Sequence, residues 1–287
     1  MKLDVLVAEI GSTTTLVSGF AGLAGAPVFA GQGMAPTTAH LDDVTLGLKA
    51  AVEDLQQNLG VSALSWGRML AASSAAGGLS MSVHGLVYDM TARAAQLAAL
   101  GAGAVVRQVT AGKLGPYELK ALRQLSPNLI LLAGGTDFGD RETAVFNARQ
   151  IAGLKLSIPV LYAGNIAAAD EVRGIFEAEG QPLSVVDNVY PRLDELNIEP
   201  ARRAIQDLFE THIVKAPGMA RIRQMVGGAI LPTPGAVMEA VRALHPVLGD
   251  LLAVDIGGAT TDVHSAAQGS EEIARIQTQP EPFFTTS

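Results

Sequence analysis

The chain has 287 residues, a formal net charge of −8 and 48% hydrophobic residues, with a mean hydropathy of +0.30. That length suffices for two or more domains of roughly 100–200 residues each, and the acidic balance argues against a general nucleic-acid-binding surface. With no cysteine, disulfides, thiolate metal sites and cysteine nucleophiles are excluded; no apolar run approaches the ~20 residues of a membrane span, the start is a poor signal peptide, and a cytoplasmic protein is expected.

Residues 3–35 predict three strands, Leu3–Ile10, Leu16–Phe20 and Pro27–Met34, joined by glycine-rich turns. A helix follows, with Asp42 or Asp43 as N-cap, apolar residues at Val44, Leu48, Ala51, Val52, Leu55 and Leu59, and Gly60 closing it. Arg68–Ala75 and Met81–Val87 read as strands, and Thr91 is expected to cap an alanine-rich helix to Ala99. From residue 104 the pattern changes to strand–helix alternation. Strands are predicted at Ala104–Val109, Leu129–Ala133, Val160–Tyr162 and Leu183–Val186, with helices at Pro116–Leu125, Arg141–Leu154, Ala168–Glu179 and Pro200–His212. Such alternation implies a doubly wound parallel α/β sheet. Residues 215–250 read as a looped and helical return with a short helix at Val237–Leu244, leading to a strand at Leu251–Val254. The domain expectation is therefore 1–103, then an inserted α/β domain at 104–214, then 215–287.

Two segments carry the chemistry. Glu9-Ile-Gly-Ser-Thr-Thr-Thr15 and Asp255-Ile-Gly-Gly-Ala-Thr-Thr-Asp262 each follow an apolar strand and put an acid before glycine and hydroxyl residues. Glycine permits tight turns and close backbone approach. Consecutive N–H groups form an anion nest, and Ser/Thr hydroxyls add donors to phosphate oxygens. Gly11, Ser12, Thr13 and Thr14 from the first loop, with Gly257, Gly258, Thr260 and Thr261 from the second, are thus candidate phosphate contacts. The acids need a cation between themselves and phosphate, which suits hydrated Mg²⁺ held by one or two carboxylates. Neither loop is a Walker A sequence or a dinucleotide fingerprint. Two lesser candidates are the loop Gly134-Gly-Thr-Asp-Phe-Gly139 with its neighbours Gly164-Asn165 and Asp187-Asn188, fit for a small anion or a partner, and Ser73-Ser74. The more ordinary reading of the first set is turns and helix caps. The five histidines show no metal-ligand spacing and are expected at the surface or half-buried.

Three strands, helix, strand, strand, helix, with an acid–Gly–Ser/Thr loop after the first strand, resembles the first half of an actin/Hsp70/sugar-kinase ATPase domain. The Asp255 segment resembles that superfamily's second phosphate motif and also the hydantoinase and acetone-carboxylase branch. A closer resemblance is to the MutL or GlmL family, which accompanies adenosylcobalamin-dependent glutamate mutase and is distinct from the mismatch-repair protein. It is carried by Val5-Leu-Val-Ala-Glu-Ile-Gly-Ser-Thr-Thr-Thr15, Ala72-Ser-Ser-Ala-Ala-Gly-Gly-Leu79, Leu131-Leu-Ala-Gly-Gly-Thr-Asp137 and Val254-Asp-Ile-Gly-Gly-Ala-Thr-Thr-Asp-Val-His264.

The resemblance implies an actin-like (ribonuclease H-like) first lobe, the inserted α/β domain and a truncated second lobe. It implies ATP and Mg as cofactors, with Glu9 and Asp255 holding the metal and Asp255 or Asp262 orienting the attacking water. It also implies a chaperone or reactivating role toward a mutase, with no nucleic-acid or membrane partner. Two departures stand out: Glu9 replaces the superfamily's aspartate, and the stretch after Asp262 is too short for a second lobe. A fragment lacking the adenosine pocket, inactive alone, is the expectation. The alternatives are a binding module with vestigial loops and a hydantoinase- or carboxylase-like enzyme.

Overall fold

The computed structural model describes residues 1–75, 78–213, 217–258, 260–267, 270, 272 and 284–286. It resolves into two compact units that share one chain. The first comprises Met1–Gly78, Leu208–Ala236 and Val254–Asp262; the second comprises Leu79–Asp207, Val237–Ala253 and Val263–Ser287.

The first unit begins with an antiparallel meander of β1 (Lys2–Ile10), β2 (Thr14–Ala21) and β3 (Val28–Pro36). Helix α1 (Val44–Asn58) follows, and then β4 (Ser65–Ser73), which pairs parallel to β1. In β1, Leu6, Ala8 and Ile10 are fully buried on one face, so the two-residue period sets Glu9 on the other. Helix α1 buries Val44, Leu48, Ala51 and Leu55 along one stripe. Its N-cap is Asp43, whose Oδ1 accepts from the Thr45 backbone N–H at 2.9 Å and hydroxyl at 2.6 Å. Those bonds, more than the Arg221 ion pair, hold the Asp43 carboxyl below the usual carboxylate range.

The helix lies so close to β3 that a Cβ on Gly33 would collide with the backbone of Ala51 and Leu55. Gly33→Ala is therefore expected to lower stability by about 1–3 kcal/mol, read as a drop in thermal midpoint. A midpoint unchanged from wild type would show that α1 can move off the sheet freely.

The first sheet is completed from far along the chain. Residues 215–250, read above as a looped return, contain α7 (Met219–Met225) and the strand Ile230–Pro232. The strand, β10 in the final order, pairs parallel to β4, giving the sheet order β10-β4-β1-β2-β3. Helix α8 (Thr233–Leu248) extends well beyond the predicted Val237–Leu244. Pro234 sits in its first turn, where the missing N–H has no intrahelical partner to lose.

The second unit holds a parallel sheet of β5 (Leu79–Gly85), β6 (Ala104–Ala111), β7 (Leu129–Leu132), β8 (Val160–Tyr162) and β9 (Leu183–Val185), in the order β6-β5-β7-β8-β9. The connecting helices are α2 (Arg93–Gly101), α3 (Pro116–Leu125), α4 (Glu142–Gly153) and α5 (Ala169–Ala178), and α6 (Glu199–Ile213) follows β9. The order reverses between β5 and β7, as in doubly wound sheets.

This corrects the expected boundary at 103/104. Strand β5 has β6 and β7 as neighbours and is buried along most of its length, so it and α2 belong to the second unit, which starts at Leu79. The expected 215–287 segment is likewise divided, with Val237–Ala253 and Val263–Ser287 grouped in the second unit. Thr91 does not cap α2; it lies in a π-helical turn (Tyr88–Ala92), and its hydroxyl accepts from the N–H groups of Leu86 and Val87.

A third, three-stranded sheet runs β11 (Leu251–Ile256), β12 (Thr261–Ala266) and β13 (Phe284–Thr286). Within the second unit, Met238 and Val241 of α8 pack against Ala266 and Phe284. Beside them Glu199 takes Arg202 at 2.6 Å, Arg203 at 3.2 Å and Arg242 at 3.6 Å. Arg242 also lies over the Phe284 ring at 4.5 Å.

Two of the histidines expected near the surface are buried instead. His84 sits between Thr110 Oγ1 at 2.7 Å and Ser82 Oγ at 3.2 Å, and His264 Nδ1 is 3.1 Å from Thr286 Oγ1.

Burial lowers the His84 pKa from 6.5 to about 4. The Glu199 carboxyl is lowered from 4.5 to about 2, first by the Arg202 hydrogen bonds and then by the Arg202 and Arg242 charges. Both folded values are depressed, so both contributions are complete above the unfolded values and vanish as pH falls through the folded ones. Acid unfolding is expected in two steps, a His84-dependent loss between about pH 6.5 and 4 and a Glu199-dependent loss between about 4.5 and 2. Glu199→Gln should remove about 1–2 kcal/mol at pH 7, after discounting for its exposure, and nothing below pH 2. Equal destabilisation at both pH values would contradict this.

Candidate functional site

Both candidate phosphate loops lie in the first unit, and both are built the same way. In the first, β1 ends at Ile10, and the Gly11 N–H donates to Thr14 O at 3.0 Å to close the turn into β2. In the second, β11 ends at Ile256 and the Gly257 N–H donates to Thr260 O at 2.9 Å to close the turn toward β12. Each acid, Glu9 or Asp255, stands two residues before the turn glycine. A Cβ on Gly11 would stand 2.6 Å from Thr14 O, so only glycine closes the first turn without displacement. At Gly257 the same atom would be 3.3 Å from Thr260 O, tight but less prohibitive.

The tips of the two loops touch. A Cβ on Gly258 would run into the Thr13 side chain, with Cγ2 at 3.0 Å and Cβ at 3.2 Å as well as the nearer Oγ1. Ser12, Thr13, Thr14, Thr260 and Thr261 are exposed, whereas Thr15 is buried and its hydroxyl bonds Thr37 Oγ1 at 2.8 Å. The two acids also interact electrostatically. Burial raises the Glu9 pKa, and the nearby Asp255 charge raises it further. Asp262 Oδ2 accepts from Thr260 Oγ1 at 3.4 Å, which is a contact of the turn itself.

The first loop is held from below by residues with structural duties. Ser73, at the end of β4, is buried; its hydroxyl donates to Ile10 O at 3.1 Å and accepts from Ala75 N at 3.2 Å. The Ser74 N–H also donates to Ile10 O, at 3.0 Å. Thr37 is a member that sequence reading missed: its N–H donates to Thr13 O at 2.9 Å while its hydroxyl meets Thr15. The only signal for it is the pair Thr37-Thr38 at the end of β3, which is indistinguishable from any turn. In the second unit, Asn165 does cap a short helical turn, Oδ1 accepting from Ala167 N at 2.9 Å. Its loop also meets those of Asp137 and Asn188.

Two interacting carboxylates with an exposed rim of glycine and threonine fit a hydrated divalent cation. A like-charge pair is relieved by such an ion, and Mg²⁺ keeps most of its water while using one or two carboxylates. Among the described residues no group of three or more His, Cys, Asp or Glu forms an all-protein metal cage.

The family model described as MutL protein matches residues 5–287. The chain belongs to the MutL family. This is the family of the glutamate mutase resemblance and not that of mismatch repair. A "Protein MutL" from Clostridium tetanomorphum is 42% identical over 249 residues, covering 84% of the chain and 54% of that protein. The chain thus spans about half the length of this family member. A solved "Glycerol dehydratase reactivase" is similar at 15% identity and a TM-score of 0.20, over 94% of the chain and 47% of that protein; at that score it carries no argument about fold. No helix among the described residues is long and apolar enough to cross a membrane.

Proposed function

We propose that this chain is the nucleotide-sensing part of an accessory protein that reactivates or chaperones an adenosylcobalamin-dependent mutase of the glutamate mutase type. Family membership and one structural observation support it: two loops of the same design meet tip to tip, and the Asp255 charge acts on the half-buried Glu9. The first unit is read as an actin-like, ribonuclease H-like lobe. Its sheet supports this, because a three-stranded meander is extended by two parallel strands on the β1 side.

In this reading Glu9 and Asp255 hold hydrated Mg²⁺. Gly11 through Thr14 and Gly257, Gly258, Thr260 and Thr261 offer N–H groups and hydroxyls to the phosphates of ATP. The ion would neutralise phosphate charge, which is the main requirement of phosphoryl chemistry. The protein's own share is to orient the phosphates between the tips, to fix β1's end through Ser73 and Thr37, and to keep Asp262 beside Thr260. Whether ATP is turned over depends on Asp255 and Asp262, the two acids assigned to positioning water.

The test is recovery of a turnover-inactivated glutamate mutase on adding the full-length protein. Recovery should require Mg-ATP and should be lost with Asp255→Asn. Recovery without nucleotide would leave the family role standing and remove the nucleotide from it; no recovery under any condition would remove the reactivating role.

A further inference from the structure

The C-terminal edge of the parallel sheet in the second unit carries a cavity that the nucleotide reading does not use. Strands β7, β8 and β9 each run into a loop there, and side chains tie the three loops together. Asn165 Oδ1 accepts from Phe138 N at 2.9 Å, and its Nδ2 donates to Gly139 O and Asp140 O at 3.1 Å each. Asn188 Nδ2 donates to Gly135 O and to Asp137 Oδ1, both at 3.0 Å, and Asp137 Oδ1 also accepts from Ile166 N at 3.0 Å. Gly164 has no room for a side chain, since a Cβ would stand 2.8 Å from Gly134 N and 3.0 Å from the Tyr162 hydroxyl. The loops border a cavity of about 300 Å³. That volume is at the small end of ligand pockets, roughly 300–1,000 Å³, and the cavity occupies the edge where open α/β sheets bind ligands.

The chemistry facing this cavity is one-sided. Its polar lining includes Asp137, Tyr162, Asp187, Asn188 and Asn197, and no Lys, Arg or His lines it. The side-chain donors are mostly used: Tyr162 Oη donates to Asn165 O at 2.8 Å, both Asn188 N–H groups bridge as above, and Asn197 Nδ2 donates one of its two hydrogens to Asn188 O at 3.2 Å. What remains is mainly acceptors. The second oxygen of Asp137 and the whole carboxylate of Asp187 have no hydrogen bond or ion pair among the described residues. The Tyr162 phenol is raised by burial and then by the Asp137 charge, so it stays neutral. A small anion, one expectation for this loop, would meet two carboxylates and no cation. Val185 and Ile166 supply an apolar wall.

We propose that this cavity binds a small cationic amine, its ammonium held by Asp137 and Asp187 and its aliphatic stem against Val185 and Ile166. Calorimetric titration of the chain with 1,4-diaminobutane, 1,4-butanediol and succinate tests this without reference to nucleotide. The diamine should bind, the diol should bind at least about tenfold more weakly for want of charge, and succinate should not bind. Asp187→Asn should weaken the diamine about tenfold while leaving the thermal midpoint unchanged, because that side chain holds nothing else in place. No diamine binding, equal binding of diol or succinate, or a diamine affinity indifferent to Asp187→Asn would overturn the proposal.

Discussion

Glu9→Gln is expected to stabilise the ligand-free protein and at the same time weaken Mg-ATP binding by at least about tenfold, or 1.4 kcal/mol. The two effects have one cause. Burial and the Asp255 charge both raise the Glu9 pKa, so the folded chain binds a proton there more readily than the unfolded chain. A raised carboxyl pKa means that stability is lost as pH rises through the folded value. Glutamine removes that penalty, and with it half of the carboxylate pair that would hold Mg²⁺. Asp255→Asn should behave likewise, since it removes the other half. In thermal melts without nucleotide the variants should match or exceed wild type, and in titrations with Mg-ATP they should fall behind. A variant that loses stability and binding together would mark Glu9 as a structural residue.

The second large effect is expected at the loop contact. Gly258→Ala places a Cβ against Thr13, whose Oγ1, Cγ2 and Cβ all crowd the same point. The tips must separate, and donors arranged to converge on phosphate then no longer do so. A displacement of about 1 Å can cost on the order of a hundredfold where groups must act together, so nucleotide affinity should fall by about ten- to a hundredfold. Gly258 is exposed, and the fold should lose little. Thr13→Ala removes two of the three crowding atoms, so the double variant should recover part of the affinity lost by Gly258→Ala. Simple additivity in that double-mutant cycle would show that the tips are independent.

How much of this was legible in the sequence depends on the length of the signal. Alternation and glycine turns located β1, β2 and β3, and Asp43 and Gly60 bracketed α1. Helix α3 and strand β8 match their predicted spans, because Pro116 fixes a helix start and Pro159 precedes a short apolar run. Strand β10 is not legible: three residues ending in proline carry no period, and their pairing with β4 is made by residues remote in sequence. Strand β5 is legible as a strand but not as a member of the second unit, since an apolar run does not say which sheet will flank it.

At the site, the glycine and threonine content marked both loops. The Thr13–Gly258 contact and the Thr37 fastening could not be read, because both depend on how distant segments meet. The histidines show the same limit from the other side: His84 looks polar in sequence, yet Ser82 and Thr110 satisfy its ring nitrogens inside the sheet.

The paired loops are proposed to form one Mg-dependent phosphate site. Its most direct measurement is calorimetric titration with ATP, in Mg²⁺ and in EDTA, of the full-length protein as wild type and as the Glu9→Gln/Asp255→Asn double variant. Saturable binding that requires Mg²⁺ and is lost in the variant is expected. Binding of equal affinity in EDTA, or in the variant, would contradict it.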